Sequence, residues 1–403
     1  MNANDAEATN TSRASDELLD VVVIGGSQAG LATAWQLARR NLRFVVLDAG
    51  PELGDTWRSR WDSLTLFTPT QYDALPGMAF PGPPDTYPGK DAVAGYLKAY
   101  AAAFNLPVRL NSRVTRLGQA AEGFEIRTQD EVLRARQVVV ATGPFQAPFV
   151  PPAAQGLDSS VTQLHSAGYR NPQALPPGPV LAVGGGNSGF QIAEELATAG
   201  RQVDLSIGTK MPVLPQRFAG RDLFWWLTRL GLLRISVDSR PGQRMSSRDF
   251  IIGGSRRRLR EAGVRFRPAV AGADARTVRF ADGTSLDAEV VIWATGYRPD
   301  YSWLGIPGIL RDGKVIHRRG VTQVPGLYFV GLSWQHTRGS ALLGFVNDDA
   351  AFLAGRIAAR HQIGDLPSPD IQAGHEAHDA GAGRTVVTTL KASPSGVRRE
   401  GDT

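Results

Sequence analysis

Residues Asp20 to Asp48, DVVVIGGSQAGLATAWQLARRNLRFVVLD, leave the chain few ways to fold. Four β-branched residues in a row, Val21, Val22, Val23 and Ile24, predict a short buried strand. A glycine turn follows, and Leu31, Ala34, Trp35, Leu37 and Ala38 then recur at helical spacing. A second apolar strand, Phe44 to Leu47, ends on Asp48, roughly 20 residues past the turn, as a dinucleotide-binding βαβ unit requires. Each part has a physical task. Gly25 makes the tight turn, and Gly30 lets the helix pack close to the sheet. The free N–H groups of the helix start suit a pyrophosphate, and Asp48 can accept hydrogen bonds from a ribose diol. Ser27 stands where the pattern usually has its middle glycine; it is small, and Gly26 beside it adds freedom. A tight βα turn without a ligand is the alternative.

The plan recurs. VLAVGGGNSGFQIAEELATAGRQVDLSIG, opening after Pro179, again reads strand, glycine turn, helix, strand, here with the full glycine set Gly184, Gly186 and Gly189. The strand after this helix does not end on an acid; it offers Ser206, Thr209 and Lys210, with Asp204 in mid-strand. Hydroxyls and a lysine can bind a 2′-phosphate that a carboxylate would repel, so NADPH is expected over NADH. The tripeptide Ala-Thr-Gly also recurs, at 141–143 and 294–296, each time after an apolar run, and the second copy marks the return of the chain to its first domain. The expected fold is α/β, with two Rossmann-like dinucleotide-binding domains, the second inserted into the first. The expected division is a leader at 1–17, a first dinucleotide-binding part at 18–160, an NADPH-binding domain at 161–292, a return part of the first domain at 293–362 and a disordered tail at 363–403.

Composition removes several classes of function. At 403 residues and 42% hydrophobic content the chain can bury one or two sizeable cores. No apolar run approaches a membrane span, and the polar start MNANDAEATNTSRASDELL lacks a signal-peptide pattern, which points to the cytoplasm. With no cysteine, the chain can form neither disulfides nor thiolate metal sites nor a redox-active CxxC, and no metal site is expected. The net charge of +6 is modest, and the arginines at 256–258 and 260 read as a solvated face rather than a nucleic-acid surface.

Between the motifs, the Gly-, Pro- and aromatic-rich stretch from Ala49 to Gly89 is too long and too aromatic for a plain linker, and its part from Trp57 to Pro69 is expected to lie over the first nucleotide site. Asp91 to Phe104 predicts an amphipathic helix capped by Asp91, and the prolines at 144, 148, 151 and 152 mark a boundary. Arg221 to Leu233 predicts an apolar helix whose adjacent Trp225 and Trp226 cannot share one face; it packs in a core or between domains, or else walls a substrate channel or lies against a membrane surface. Arg256 to Ala262 and Gly344 to Ile357 predict further helices.

Two nucleotide folds joined by two Ala-Thr-Gly strands, together with GDTWRSRWDSLTLFTP (54–69), YPGKDAVAGYLKAYA (87–101), HSAGY (165–169), ATGYRPDYSWL (294–304) and RGSALLGFVNDDAAFLA (338–354), resemble the flavin-containing monooxygenase superfamily. Within it the segments are similar to bacterial flavoproteins linked with cation transport and to plant YUCCA-type enzymes. The resemblance implies FAD in the first fold and NADPH in the second. Gly25, Gly26, Ser27, Gln28 and Gly30 would then wrap the FAD pyrophosphate and Asp48 its ribose; Trp57, Arg58 and Leu64 would flank the ribityl chain and ring; Val114 would sit by the adenine. Thr142 and Gly143 would join the cofactor set, and Leu343 and Gly344 would back the isoalloxazine. Gly184, Gly186, Asn187, Ser188 and Gly189 would bind the NADPH pyrophosphate. His165 and Tyr169 match the second half of the monooxygenase fingerprint F-x-G-x-x-x-H-x-x-x-[YFW], while Ser159 and Val161 replace its Phe and Gly. His165 is either part of that fingerprint's chemistry or a structural histidine at the domain joint. The asparagine that many oxygenating members place near the flavin would fall near Thr68.

The implied function is an FAD- and NADPH-dependent monooxygenase acting through a C4a-peroxyflavin on a small nitrogen or sulfur nucleophile, or on a carbonyl or 2-oxo acid. Gln335, His336 and Asn347 are the candidate catalytic residues, with ordinary loop and helix-cap bonding as their alternative. The alternatives for the whole chain are an NADPH oxidase or reductase without oxygen insertion and a redox-sensing flavoprotein subunit. The expected partners are a small-molecule substrate and dioxygen but no nucleic acid, and the reading admits a peripheral membrane contact and a homodimer.

Overall fold

Alternation along two buried strand sets builds the architecture. The computed structural model describes residues 13–209, 211–247 and 250–364; the start of the expected leader, Lys210 and the expected tail from residue 365 lie outside the described residues. In chain order the principal elements of the first unit are β1 (Arg13–Ile24), α1 (Gln28–Ala38), β2 (Phe44–Leu47), α2 (Lys90–Ala103), β3 (Val108–Arg109), the hairpin strands β4 (Arg116–Ala120) and β5 (Gly123–Arg127), and β6 (Glu131–Val140). The second unit holds β7 (Thr162–His165), β8 (Val180–Val183), α3 (Asn187–Thr198), β9 (Val203–Ser206), α4 (Leu223–Arg229), β10 (Arg265–Arg267) and β11 (Val290–Trp293). The chain then returns through β12 (His317–Arg318), β13 (Val321–Thr322), β14 (Leu327–Phe329) and α5 (Asn347–Gly364).

The first sheet runs β12-β13-β14-β6-β1-β2-β3, with the β4–β5 hairpin added to β6. Its centre is parallel: Val21 to Ile24 pair with Phe44 to Leu47 on one side and with Gln137 to Val140 on the other. Because β14 is parallel to β6 although about 190 residues later (Leu327 opposite Val138), the second sheet is an insertion between two neighbouring strands of the first. That second sheet, β10-β9-β8-β11-β7, is parallel throughout. Two Rossmann-like units, the second inserted into the first, are therefore the fold.

Both sheets are covered on both faces, as parallel sheets require. Val21 and Val23 face Leu31, Leu37 and Leu353 of the flanking helices and Val346 just before α5, while Val22 and Ile24 face Phe124, Ile126 and Tyr301 on the other side. In the second sheet Val180 and Ala182 pack with Phe190 and Leu196, and Leu181 and Val183 with Val278 and Trp293.

Several boundaries differ from expectation. β1 begins at Arg13, inside the segment read as a leader, because its backbone pairs with Glu131 and Val132 of β6, a long-range contact without a local signal. α2 starts at Lys90 behind Gly89, which places Asp91 in the first turn rather than at the cap. The aromatic helix is shorter than Arg221 to Leu233: α4 covers Leu223–Arg229 and a separate 3₁₀ turn follows at Leu232–Arg234. The last helix starts at Asn347 instead of Gly344 and runs to Gly364.

The aromatic stretch joins the two units. Phe224 is 1% exposed and clusters with Phe67, Tyr72 and Phe345, while Trp225 and Trp226 stay half-buried edge to face, 4.7 Å between centroids. Asp222, 1% exposed, organises this joint: it caps α4 through Phe224 N (2.6 Å) and accepts from the Tyr87 hydroxyl and Gln216 Nε2, both at 2.8 Å. Asp222→Ala strands these buried donors and is expected to cost about 3 kcal/mol in denaturant unfolding, against about 1 kcal/mol for Asp222→Asn. Equal losses in the two variants would refute that assignment.

Candidate cofactor and active site

Each glycine turn is sealed by an Ala-Thr-Gly strand end. Gly25 has φ +111°, and a Cβ there would lie 2.7 Å from the Ala141 carbonyl oxygen; a Cβ on Gly30 would lie 1.8 Å from the Gly25 oxygen. The second turn repeats this, with the Gly184 Cβ position (φ +142°) 2.1 Å from the Ala294 oxygen and that of Gly189 2.1 Å from the Gly184 oxygen. Only glycine allows helix, turn and neighbouring strand to close up in this way.

Both helix starts are open. Ser27 and Gly186 occupy the N-cap positions of α1 and α3 without a side-chain cap bond, and neither first turn carries an acid. Ser27 Oγ turns aside to Gln28 Oε1 at 2.6 Å. Unpaired N–H groups and the positive helix end suit a phosphate at each turn. Asp48 stands beside the first turn, its two oxygens held by the amides of Gly26 (2.7 Å) and Gly50 (2.8 Å). A Cβ on Gly26 would meet that carboxylate at 2.9 Å. The residues present therefore fit a dinucleotide at each turn.

Other expected cofactor residues are distributed differently. Thr142 and Gly143 both accept from Gln146 Nε2, at 2.6 and 2.9 Å. Trp57 packs half-buried on the main core, and Arg58 is tied to Glu52 (3.0 Å) and the Leu53 carbonyl (2.9 Å). Val114 packs on the far face of the first sheet, whereas Leu64 joins Trp61 in the core of the second sheet. In the second unit Asn187 Oδ1 accepts from Ile252 N at 3.0 Å, so this side chain braces a neighbouring loop, and Ser188 is half-buried beside it.

Ser206 does not present its hydroxyl to a ligand: it is 0% exposed and donates to the Pro268 carbonyl at 2.6 Å, because β10 and its continuation lie alongside. Thr209 is exposed, and its carbonyl lies 3.3 Å from the Gly185 Cβ position, next to the second turn. Asp204 is buried against Arg265 (2.5 Å) and Arg267 (2.8 Å), which removes it as a ribose acceptor or a repulsive charge.

His165 sits at the joint. Its Nδ1 accepts from the Ala167 amide at 3.1 Å, which leaves Nε2–H to donate to the Gly296 carbonyl at 2.9 Å. Burial and then the Arg60 charge lower its pKa below the ordinary 6.5, although the Gly296 bond opposes them. The ring stands edge to face on Tyr297, and Arg60 bonds the Tyr297 hydroxyl. His165 thus ties β7 to the second Ala-Thr-Gly.

The three catalytic candidates point three ways. Gln335 is buried, its Nε2 close to the Gly320 Cβ position (2.6 Å) and without a hydrogen-bond partner. His336 faces the second unit: Nδ1 lies 3.4 Å from Ser236 Oγ, and its carbonyl accepts from Val237 N at 2.7 Å. Asn347 donates to the Ala74 carbonyl at 3.1 Å and leaves Oδ1 buried without a donor. Leu343 is buried in the main core, and a Cβ on Gly344 would lie 2.1 Å from the Tyr72 carbonyl oxygen.

Between these sits a residue that the sequence did not single out. Asp73 is 0% exposed; Oδ1 accepts from Thr68 Oγ1 at 2.5 Å and Oδ2 has no partner among the described residues. Burial pushes its pKa up to about 7, with the Thr68 bond pulling the other way. An acid within the aromatic stretch FTPTQYDALP was the only signal, and burial cannot be read from it.

A family model described as pyridine nucleotide-disulphide oxidoreductase matches residues 22–212. The uncharacterized oxidoreductase CzcO-like of Geobacillus kaustophilus is 46% identical over 339 residues, covering 83% of this chain and 97% of that protein. The rice indole-3-pyruvate monooxygenase YUCCA1 is 29% identical over 362 residues, covering 79% and 88%. Among solved structures, the flavin-containing monooxygenase from Stenotrophomonas maltophilia aligns with a TM-score of 0.72 at 30% identity, covering 86% of this chain and 99% of that one. Disulphide chemistry by the chain's own thiols is ruled out, since it has no cysteine. Doubled glycine turns, an inserted second sheet and these likenesses agree: the chain belongs to the flavin monooxygenase family of flavin-dependent oxidoreductases, alongside the CzcO-like proteins and the YUCCA monooxygenases.

Proposed function

We propose that this enzyme is an FAD- and NADPH-dependent monooxygenase, with FAD held by residues 18–160 and 293–362 and NADPH by residues 161–292. The observation that carries the reading is the pair of uncapped helix starts, each behind a glycine turn closed on an Ala-Thr-Gly strand. Gly25 to Gly30 would hold the FAD pyrophosphate, Asp48 its ribose, and Gly184 to Gly189 the NADPH pyrophosphate. Thr209 and Lys210, without Ser206, would face the 2′-phosphate. Bound FAD supplies hydride acceptance and dioxygen chemistry; the chain supplies position, dryness and protons.

Dryness comes from the cluster of Phe67, Tyr72, Phe224 and Phe345, which closes the joint between the units. Asp73 is the residue that can hold or release a proton near neutral pH, with Thr68 fixing its Oδ1. Leu343, Gly344 and Asn347 pack around the same loop, where Asp73 Oδ2 and Asn347 Oδ1 are buried without a partner among the described residues. Of the three catalytic candidates, Asn347 is the one that this arrangement supports. The substrate in this reading is a small nitrogen or sulfur nucleophile, or a carbonyl or 2-oxo acid.

The test is stoichiometry. NADPH oxidation is followed against H2O2 release under ¹⁸O₂, with indole-3-pyruvate and a thioether as probes. Label in the product, with H2O2 falling as substrate is added, is expected. Stoichiometric H2O2 with every probe would instead make the enzyme an NADPH oxidase.

A further inference from the structure

At the side of the first sheet away from the glycine turns, where β14 begins beside the middle of β6, lies a cavity of about 700 Å³, a size suited to a small molecule. Its floor is polar and built. Gln137, 1% exposed, donates to the Ile357 carbonyl at 3.1 Å and accepts from the Tyr328 hydroxyl at 3.0 Å. Arg136, Arg356 and Arg360 stand around it.

These arginines differ from the ion-paired ones on the surface. Arg43, Arg58, Arg109, Arg127 and Arg257 each pair with a glutamate, whereas no guanidinium of the three makes an ion pair or hydrogen bond with a described residue. Among the described residues Glu122 is the one carboxylate in the lining, against three guanidiniums. Arg356 and Arg360 are four apart on α5, a spacing at which like charges repel unless something negative lies between them. Both charges reach the floor, where they offset part of the upward push of burial on the Tyr328 pKa. Three forked, permanently charged donors over a polar floor are the chemistry that recognises phosphate oxygens.

We propose that this cavity binds a small phosphate ester or polyphosphate carrying two or more negative charges, at a site separate from both dinucleotide turns. The separation follows from the strand: Gln137 to Ala141 spans four residues, about 13 Å of β6. α5 connects the two regions, with Asn347 beside the Asp73 loop and Arg360 about 20 Å further along the helix. The proposal is independent of whether oxygen is inserted.

Calorimetric titration with sodium pyrophosphate, on FAD-loaded protein in excess NADP⁺, tests it. One saturable site is expected, weakening as salt rises. Arg356→Ala/Arg360→Ala is expected to weaken binding at least tenfold, Arg356→Lys/Arg360→Lys much less, and Arg257→Ala not at all. Arg136→Ala, on a strand instead of the helix, should weaken it as well and decides the matter if the helix variant folds poorly. Absence of saturable binding, or undiminished affinity in the alanine variants, would overturn the proposal; the latter would put the probe in the glycine turns.

Discussion

Gly30→Val is expected to yield a colourless protein that has lost about 3 kcal/mol of stability, the upper end of the usual cost of overpacking. Its Cβ alone would sit 1.8 Å from the Gly25 carbonyl oxygen. Gly25 cannot retreat, since it is itself held at φ +111° against the Ala141 oxygen. The conflict is backbone against backbone, so α1 must tilt off the sheet and carry its open N-terminus away from the turn. Gly189→Val makes the same intrusion in the second unit, 2.1 Å from the Gly184 oxygen. That variant is expected to keep its flavin and to be reduced by NADPH on the order of 100-fold more slowly, equivalent to about 3 kcal/mol of lost binding. Gly95→Ala is the control: its Cβ would meet nothing within 4 Å on α2, so a gain of about 0.5 kcal/mol is expected. Flavin absorbance per protein, denaturant midpoints and anaerobic reduction rates check all three. A yellow Gly30→Val protein of normal stability, or loss of flavin from Gly189→Val, would break the correspondence between turn and cofactor.

The glycine turns were legible because they are local. β-Branched runs, helical periodicity and a strand ending on Asp48 lie within 29 consecutive residues, and nothing distant is needed to read them. What escaped reading depends on contacts between remote segments. β1 reaches back to Arg13 only because β6 offers its backbone as a partner. Ser206 ends its strand as expected, yet Pro268, 62 residues later, captures its hydroxyl. Leu64 lies in the loop expected over the flavin but packs into the second sheet's core. Gln335, His336 and Asn347 fall within 13 residues and still face three different neighbours, since a 3₁₀ turn at Arg338–Ala341 and the start of α5 turn the chain between them.

Asp73 carries the remaining large effect, and its sign is fixed by linkage. Unfolded, its carboxyl titrates near the ordinary 3.8; folded, burial raises it to about 7. Between those values the native state keeps a proton that the unfolded chain has released. The contribution of Asp73 to stability is therefore greatest below about pH 4, falls as pH rises through 7 and levels off above it, a loss of about 4 kcal/mol from this group. Asp73→Asn cannot ionise, so relative to it the wild type should lose that amount between about pH 4 and 8. Thr68→Val removes the hydrogen bond that favours the charged form, and its decline should extend to higher pH. Urea midpoints across this range measure both shifts. The same proton should appear in function: the rate of flavin reduction by NADPH is expected to show a limb near pH 7 that Asp73→Asn abolishes. Parallel stability curves for wild type and Asp73→Asn would mean that Asp73 is ionised in the fold throughout, and the loop from Thr68 to Ala74 would then have no proton to give.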